Sequence, residues 1–319
     1  MRPALVMSQI WILFGNTGSV SASCGIGISE PFYKEKIMGL HIENTDASIG
    51  AFVTGVDLTK DLSSDLVAEL RSLWLKHKVI AFPEQQMNAT DLERFSLYFG
   101  EFGEDPFLEH IEGHENIAAI QRNADETTPI FAESLHSDWS FLDVPPAGTC
   151  LFGITIPPIG GNTLFADQVA AYENLPVSLR DQADSLVAVH SAEKGYAPDG
   201  KFGAADKAKG RSMNIITSEA AKKQIQHPFV RTHHETGQKA LFSSAAYIQG
   251  FVGFDQQESE QLLAMFYEYQ SAEAVIYSHK WSANMLVIWD NRSLLHAATG
   301  GYDGYNRLLY RTTIADTRF

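Results

Sequence analysis

The chain has 319 residues, of which 45% are hydrophobic, 20% charged and 11% aromatic, enough apolar sequence to fill a folded core and exclude wholesale disorder. Lys and Arg number 24 against 39 Asp and Glu, a net charge of −15, so phosphate backbones and anionic membrane surfaces are repelled and neither is an expected partner. Two cysteines, Cys24 and Cys150, exclude a disulfide framework or a cysteine-rich zinc site and suit a reducing, cytoplasmic compartment.

Residues 4–14 are apolar but too short to span a bilayer, which takes about 20 helical residues. With Arg2 ahead and Ser21-Ala22-Ser23 behind, they outline a signal peptide, under which the protein is exported instead. The plainer reading is an unstructured leader, or a start assigned too early with Met38 as the natural beginning. Residues 1–38 are therefore set apart from a single domain over residues 39–319.

Residues 49–58 read as strand, bent at Gly50 and Gly55. Ser63 caps a helix running through Lys78, with Leu66, Leu70, Leu73 and Trp74 on one face. Residues 79–82 form a buried strand stopped by Pro83, and Thr90 caps a second helix that closes at Gly100. Strands then dominate, over residues 117–121, 135–141, 149–156, 163–166, 186–190, 229–232, 240–242, 274–277, 285–289 and 308–315. Helices interrupt them at 169–174, 177–184 and 256–270. Many short strands with Pro-Pro and Gly-Gly punctuation predict a mainly β fold with flanking helices, a sandwich or jelly roll. Residues 194–223 break the rhythm: seven Lys and Arg against three acids give +4 in Gly- and Ala-rich sequence. Such a stretch is either a lid-like insertion over a site or a solvated loop.

No glycine pattern fits a phosphate-cradling loop, no nucleophile elbow occurs, and Cys150 lacks an evident base. His136-Ser137-Asp138 offers more. In a strand, residues two apart project from one face, so His136 and Asp138 present an imidazole and a carboxylate side by side. That is two thirds of the 2-His-1-carboxylate set that holds non-haem iron(II). Alone, a hydrogen-bonded His–Asp pair in a strand explains the motif better. A third ligand must come from elsewhere, and His296 is the best candidate, although a lone histidine in apolar sequence is often a core residue. Arg307 and Arg311 stand on the apolar final strand, where burying a guanidinium is costly without an anionic partner.

These residues and their setting resemble the taurine dioxygenase/2,4-dichlorophenoxyacetate dioxygenase family of iron(II)- and 2-oxoglutarate-dependent oxygenases. The resemblance covers residues 49–315 and rests on Thr54-Gly55-Val56-Asp57-Leu58, on Leu135-His136-Ser137-Asp138-Trp139-Ser140-Phe141 and on Val144-Pro145-Pro146-Ala147-Gly148. Gly160-Gly161-Asn162-Thr163-Leu164-Phe165, the run from His227 to His233, Trp289-Asp290-Asn291-Arg292 and His296 extend it. The intervals from His136 to Thr163 (27), His296 to Arg307 (11) and His296 to Arg311 (15) follow the family pattern.

The resemblance implies a double-stranded β-helix, with His136, Asp138 and His296 as iron ligands and Thr163 and Arg307 on the distal carboxylate of 2-oxoglutarate. It implies O2 as the second cosubstrate and hydroxylation of a C–H bond in a small organic substrate, with release of succinate and CO2. Arg311 corresponds to the arginine that faces the sulfonate in taurine dioxygenase, and Phe242 to an aromatic of the substrate pocket. Departures accompany the match. A histidine and a tyrosine that contact taurine are replaced by Asp105 and Leu108, and an asparagine by Ala132. Asp105 repels a sulfonate, so taurine is disfavoured while Arg311 still admits another anion, and Asp138 fills the position a halide needs for halogenation. The rivals are a non-enzymatic metal- or ligand-binding jelly roll and a zinc hydrolase. A homo-oligomer is compatible with all three.

Overall fold

The computed structural model describes residues 34–37 and 39–318. The signal-peptide outline and Cys24 lie outside the described residues. The first described strand, β1 (Lys34–Ile37), falls within the segment set apart as leader and pairs with β2 (Leu40–Asn44). β3 (Ala51–Thr54) follows antiparallel to β2.

Helix α1 (Ser64–His77) begins at the predicted cap: the Ser63 side chain accepts from the Leu66 amide, and Leu70, Leu73 and Trp74 form its buried face. Lys78 turns the chain in the left-handed conformation into β4 (Val79–Phe82), all of it buried. Helix α2 (Ala89–Leu97) is capped by Asn88, not by Thr90, because Asn88 and Asp91 satisfy each other's backbone amides in a capping box. β5 (His110–Ile111) and β6 (His114–Arg122) follow.

The strand expected over 135–141 does not form. His136 makes a single antiparallel bridge to His296, after which Trp139 takes φ 46° and the chain turns. β7 (Gly148–Thr155), β8 (Thr163–Asp167), α3 (Gln168–Glu173), α4 (Val177–Ser185) and β9 (Val187–His190) come next. The 194–223 stretch is not plain loop. It carries α5 (Glu193–Tyr196), α6 (Ala204–Lys207) and a 3-10 turn at Glu219–Lys222, and it buries Tyr196, Phe202, Met213 and Ile215 in one aromatic-rich cluster. Then come β10 (Ile225–Pro228), β11 (Val230–Thr232), β12 (Lys239–Leu241), β13 (Ile248–Phe251), α7 (Gln256–Gln270) and β14 (Ile276–His279). β15 (Leu286–Asp290), β16 (Leu294–Ala298) and β17 (Arg307–Ile314) complete the chain.

The fold is mainly β. A nine-stranded sheet runs β1-β2-β3-β4-β15-β7-β17-β6-β5, with β3–β4 its parallel pairing, and a smaller sheet runs β14-β8-β16. The two meet through Val79, Leu151, Val287, Trp289 and Leu309 of the large sheet and Phe165 and Leu294 of the small one. Two further sheets, β10-β9-β13 and β11-β12, pack with α7 around Phe229 and Phe266. No helix among the described residues is long and apolar enough to cross a membrane.

Candidate metal centre

His136 and His296 hold each other by backbone. The His136 amide donates to the His296 carbonyl at 3.0 Å and the reverse bond is 2.8 Å, which brings the two rings to 4.3 Å between centroids. The turn after His136 then carries Asp138 back, and its Oδ1 stands 3.7 Å from Nε2 of each histidine. The three donors the sequence singled out are thus brought together by a bridge and a turn rather than by strand alternation. All three are buried, and one ligand atom from each lies within 4.8 Å of the others.

Protonation suits a cation here. Nδ1 of His136 lies 2.8 Å from the Ser134 carbonyl, to which it donates, and this turns Nε2 toward Asp138. Burial pushes the His296 imidazole down to about 3, and His136 beside it adds to the shift, so it is neutral at physiological pH. Burial pushes the Asp138 carboxyl up, but the Arg311 guanidinium outweighs it and holds the group well below the usual carboxylate range. Asp138 is also positioned from behind. Trp289 Nε1 donates to Asn291 Oδ1, Asn291 Nδ2 to Thr149 Oγ1, and Thr149 Oγ1 to Asp138 Oδ2 at 2.6 Å. The sequence reading missed Thr149 and Ser134; a threonine buried in the apolar run of β7 was the one available signal.

Arg307 and Arg311 project from the same face of β17, four residues apart, yet their surroundings differ. Arg307 is buried without an acidic partner among the described residues: its Nη2 donates to the Gly161 carbonyl at 3.3 Å, its Nε has no partner among them, and Tyr302 lies beneath the guanidinium. Gly161 takes φ 67°, and a Cβ there would stand 3.3 Å from Arg307 Nε. Gly160 has no alternative at all, since its Cβ would meet the Gly301 carbonyl oxygen at 2.4 Å. Thr163, at the start of β8, accepts from Trp281 Nε1 at 2.9 Å. Arg311 instead has both terminal nitrogens engaged by acids. Nη2 donates to Asp105 Oδ2 at 2.8 Å, Nη1 lies 3.4 Å from Asp138 Oδ1, and the guanidinium stacks 4.9 Å over Trp139.

Beside His136 opens a cavity of about 130 Å³ lined by Phe131, Tyr196, Phe202 and Tyr247, with Lys194 and Lys201 also in its wall. Tyr247 meets the His136 ring edge-on. Neither tyrosine was singled out from sequence. Leu108 is buried in the same cluster as Phe107, Trp139 and Tyr196. Phe242 packs against His190 and His227 and beneath Arg231. Ala132 takes φ 59° and accepts from the Ala298 amide, two residues beyond His296. Cys150 is buried and pushed up to about 12 by that burial, so it is no nucleophile.

The taurine catabolism dioxygenase TauD, TfdA family matches residues 41–313, and the chain belongs to it. It is an alpha-ketoglutarate-dependent dioxygenase. An alkylsulfatase of Acinetobacter baylyi is 32% identical over 285 residues, covering 89% of this chain and 87% of that one. An alpha-ketoglutarate-dependent sulfate ester dioxygenase of Pseudomonas putida is 30% identical over 86% of this chain and 89% of its own. Among solved structures, a taurine dioxygenase from Burkholderia xenovorans superposes with a TM-score of 0.72 at 31% identity, covering 87% of this chain and 91% of that one.

Proposed function

We propose that His136, Asp138 and His296 hold iron(II), and that Arg307 and Thr163 receive the distal carboxylate of 2-oxoglutarate. On this reading the enzyme converts a small organic substrate R–H, with O2 and 2-oxoglutarate, into R–OH, succinate and CO2. The observation that carries it is the pairing of a buried two-histidine, one-carboxylate cluster with a buried arginine that has no acid of its own. A dianionic cosubstrate supplies both missing partners. Iron, when bound, contributes the redox chemistry that couples O2 cleavage to loss of CO2 from the cosubstrate.

The chain's own residues bind and orient. Ser134 fixes the His136 tautomer, and Thr149 holds one carboxylate oxygen of Asp138 so that the other faces the imidazoles. Arg307 presents a rigid guanidinium fork at the end of a cradle kept open by Gly161. The aromatic cavity beside His136 excludes water from the reacting C–H bond. Its volume of about 130 Å³ is close to that of a cavity known to accept one benzene ring, so the reacting end of the substrate is one ring or a short chain. Residues 194–223, which contribute Tyr196 and Phe202 to that wall, act as the lid.

The two sheets that sandwich Phe165 and Trp289 are read as the halves of a double-stranded β-helix. A net charge of −15 favours a small-molecule substrate in the cytoplasm over nucleic acid or a membrane surface. The test is to load the protein anaerobically with iron(II), add 2-oxoglutarate and then O2, and measure succinate. The expected result is succinate and consumed O2 in equal amounts; metal-dependent activity without either overturns the reading.

A further inference from the structure

Arg311 is the charge one would expect to anchor an anionic substrate, but its terminal nitrogens are already committed. Nη2 is held by Asp105 at 2.8 Å, Nη1 faces the metal-donor carboxylate of Asp138 at 3.4 Å, and Trp139 covers the plane. An anion reaching these terminal nitrogens must break a buried pair and then lie beside the displaced Asp105. What this corner leaves unpartnered among the described residues is different in kind: an acceptor, Asp105 Oδ1, and two N–H donors, Arg311 Nε and Trp139 Nε1, all buried. The corner adjoins the substrate cavity, because Trp139, over which Arg311 stacks, meets Tyr196 edge-on at 5.4 Å, and Tyr196 lines that cavity. A neutral group carrying both a donor and an acceptor, such as a primary amide or a hydroxyl, matches these atoms. A sulfonate, sulfate or carboxylate matches only the donors and meets a carboxylate.

We propose that Asp105 is a specificity-determining residue that takes Arg311 out of service as an anion site, so that the metal-side end of the primary substrate is uncharged and hydrogen-bonding. The proposal rests on the dioxygenase reading and sharpens it to a substrate class. The proposal turns on one ion pair that joins residues 206 positions apart.

Thermal unfolding with redox-inert Zn(II) and saturating 2-oxoglutarate, which occupies Arg307, isolates the Arg311 corner. Wild type is expected to show no saturable stabilisation by methanesulfonate, whereas Asp105→Ala is stabilised saturably at millimolar concentration. Asp105→Asn, which keeps an acceptor for Nη2 but loses the charge, should respond more weakly and serves if the alanine variant folds poorly. In succinate assays with matched pairs such as phenoxyacetamide and phenoxyacetate, the variant should shift the KM ratio toward the acid by at least about 10-fold, the scale of one charge-assisted contact. Saturable stabilisation of wild type by methanesulfonate overturns the proposal, and so does its absence in both variants. Stabilisation by 2-oxoglutarate alone is read in the same scans. Its failure counts against the dioxygenase reading, while the response to methanesulfonate reports on Asp105.

Discussion

Arg307 and Arg311 have the same burial, 5% exposed each, and sit on the same strand, yet removing them should affect the empty protein very differently. Arg311→Met leaves Asp105 buried with neither oxygen partnered, and breaking a buried pair by deleting one member costs about 3–5 kcal/mol. Arg307→Met removes a guanidinium whose burial is opposed by no acid, only by Tyr302 and a 3.3 Å bond to the Gly161 carbonyl. The desolvation relieved offsets the bond lost, so the change should stay within about 1 kcal/mol. At roughly 2 °C per kcal/mol for a domain of this size, Arg311→Met loses about 6–10 °C and Arg307→Met no more than about 2 °C. Thermal unfolding of the metal-free proteins in a low-anion buffer measures both. With Zn(II) and 2-oxoglutarate at about 100 times its Kd, wild type should gain about 2.7 kcal/mol, and Arg307→Met should lose most of that gain. Equal losses for the two variants in the empty state, or full retention of the 2-oxoglutarate response by Arg307→Met, refute the division of labour.

Replacing His136, Asp138 or His296 by alanine should abolish succinate formation and lower iron stoichiometry at limiting metal; a variant that keeps both is not a ligand. Thr149→Val removes the 2.6 Å bond to Asp138 and should weaken metal affinity about 10- to 100-fold, read by competition with a chelating dye; unchanged affinity excludes Thr149 from positioning Asp138. Burial, with His227 and Arg231, pushes His190 down to about 3, and burial pushes His279 down to about 4, against an ordinary value of 6.5. Folded pKa values below the unfolded ones mean stability present above pH 6.5 and lost as pH falls, up to about 1.4 kcal/mol per pH unit for each; denaturant midpoints from pH 7 to 4.5 should fall, and less so in a His190→Gln/His279→Gln protein. Amide exchange at Tyr196 and Phe202 should slow when 2-oxoglutarate and substrate bind; equal rates with and without ligand make the 194–223 stretch a bystander.

What was legible in the sequence was local or carried by several ordered motifs. The Ser63 cap and the apolar face of α1 are decided within a few residues, and both are where the pattern puts them. The three candidate donors do lie together, although the strand expected around His136 and Asp138 does not form. Alternating His136, Asp138 and Ser140 mimics a strand, but Trp139 is driven into the left-handed region, and the donors converge through the bridge to His296, 160 residues away. The 194–223 stretch looked like open loop because its few apolar residues have no period, while Tyr196 and Phe202 find their partners in distant rings such as Phe107 and Phe131. Asp105 shows most clearly where one-dimensional reasoning stops. From sequence its charge could be weighed only against an imagined ligand, and it counted as repulsion. In the folded chain Asp105 first meets Arg311, and the pair they form means that a positive charge beside the metal centre need not be a positive charge offered to substrate. The sign of a pocket is set by which of its charges remain unpaired after folding, and that depends on contacts across 206 residues that no local pattern encodes.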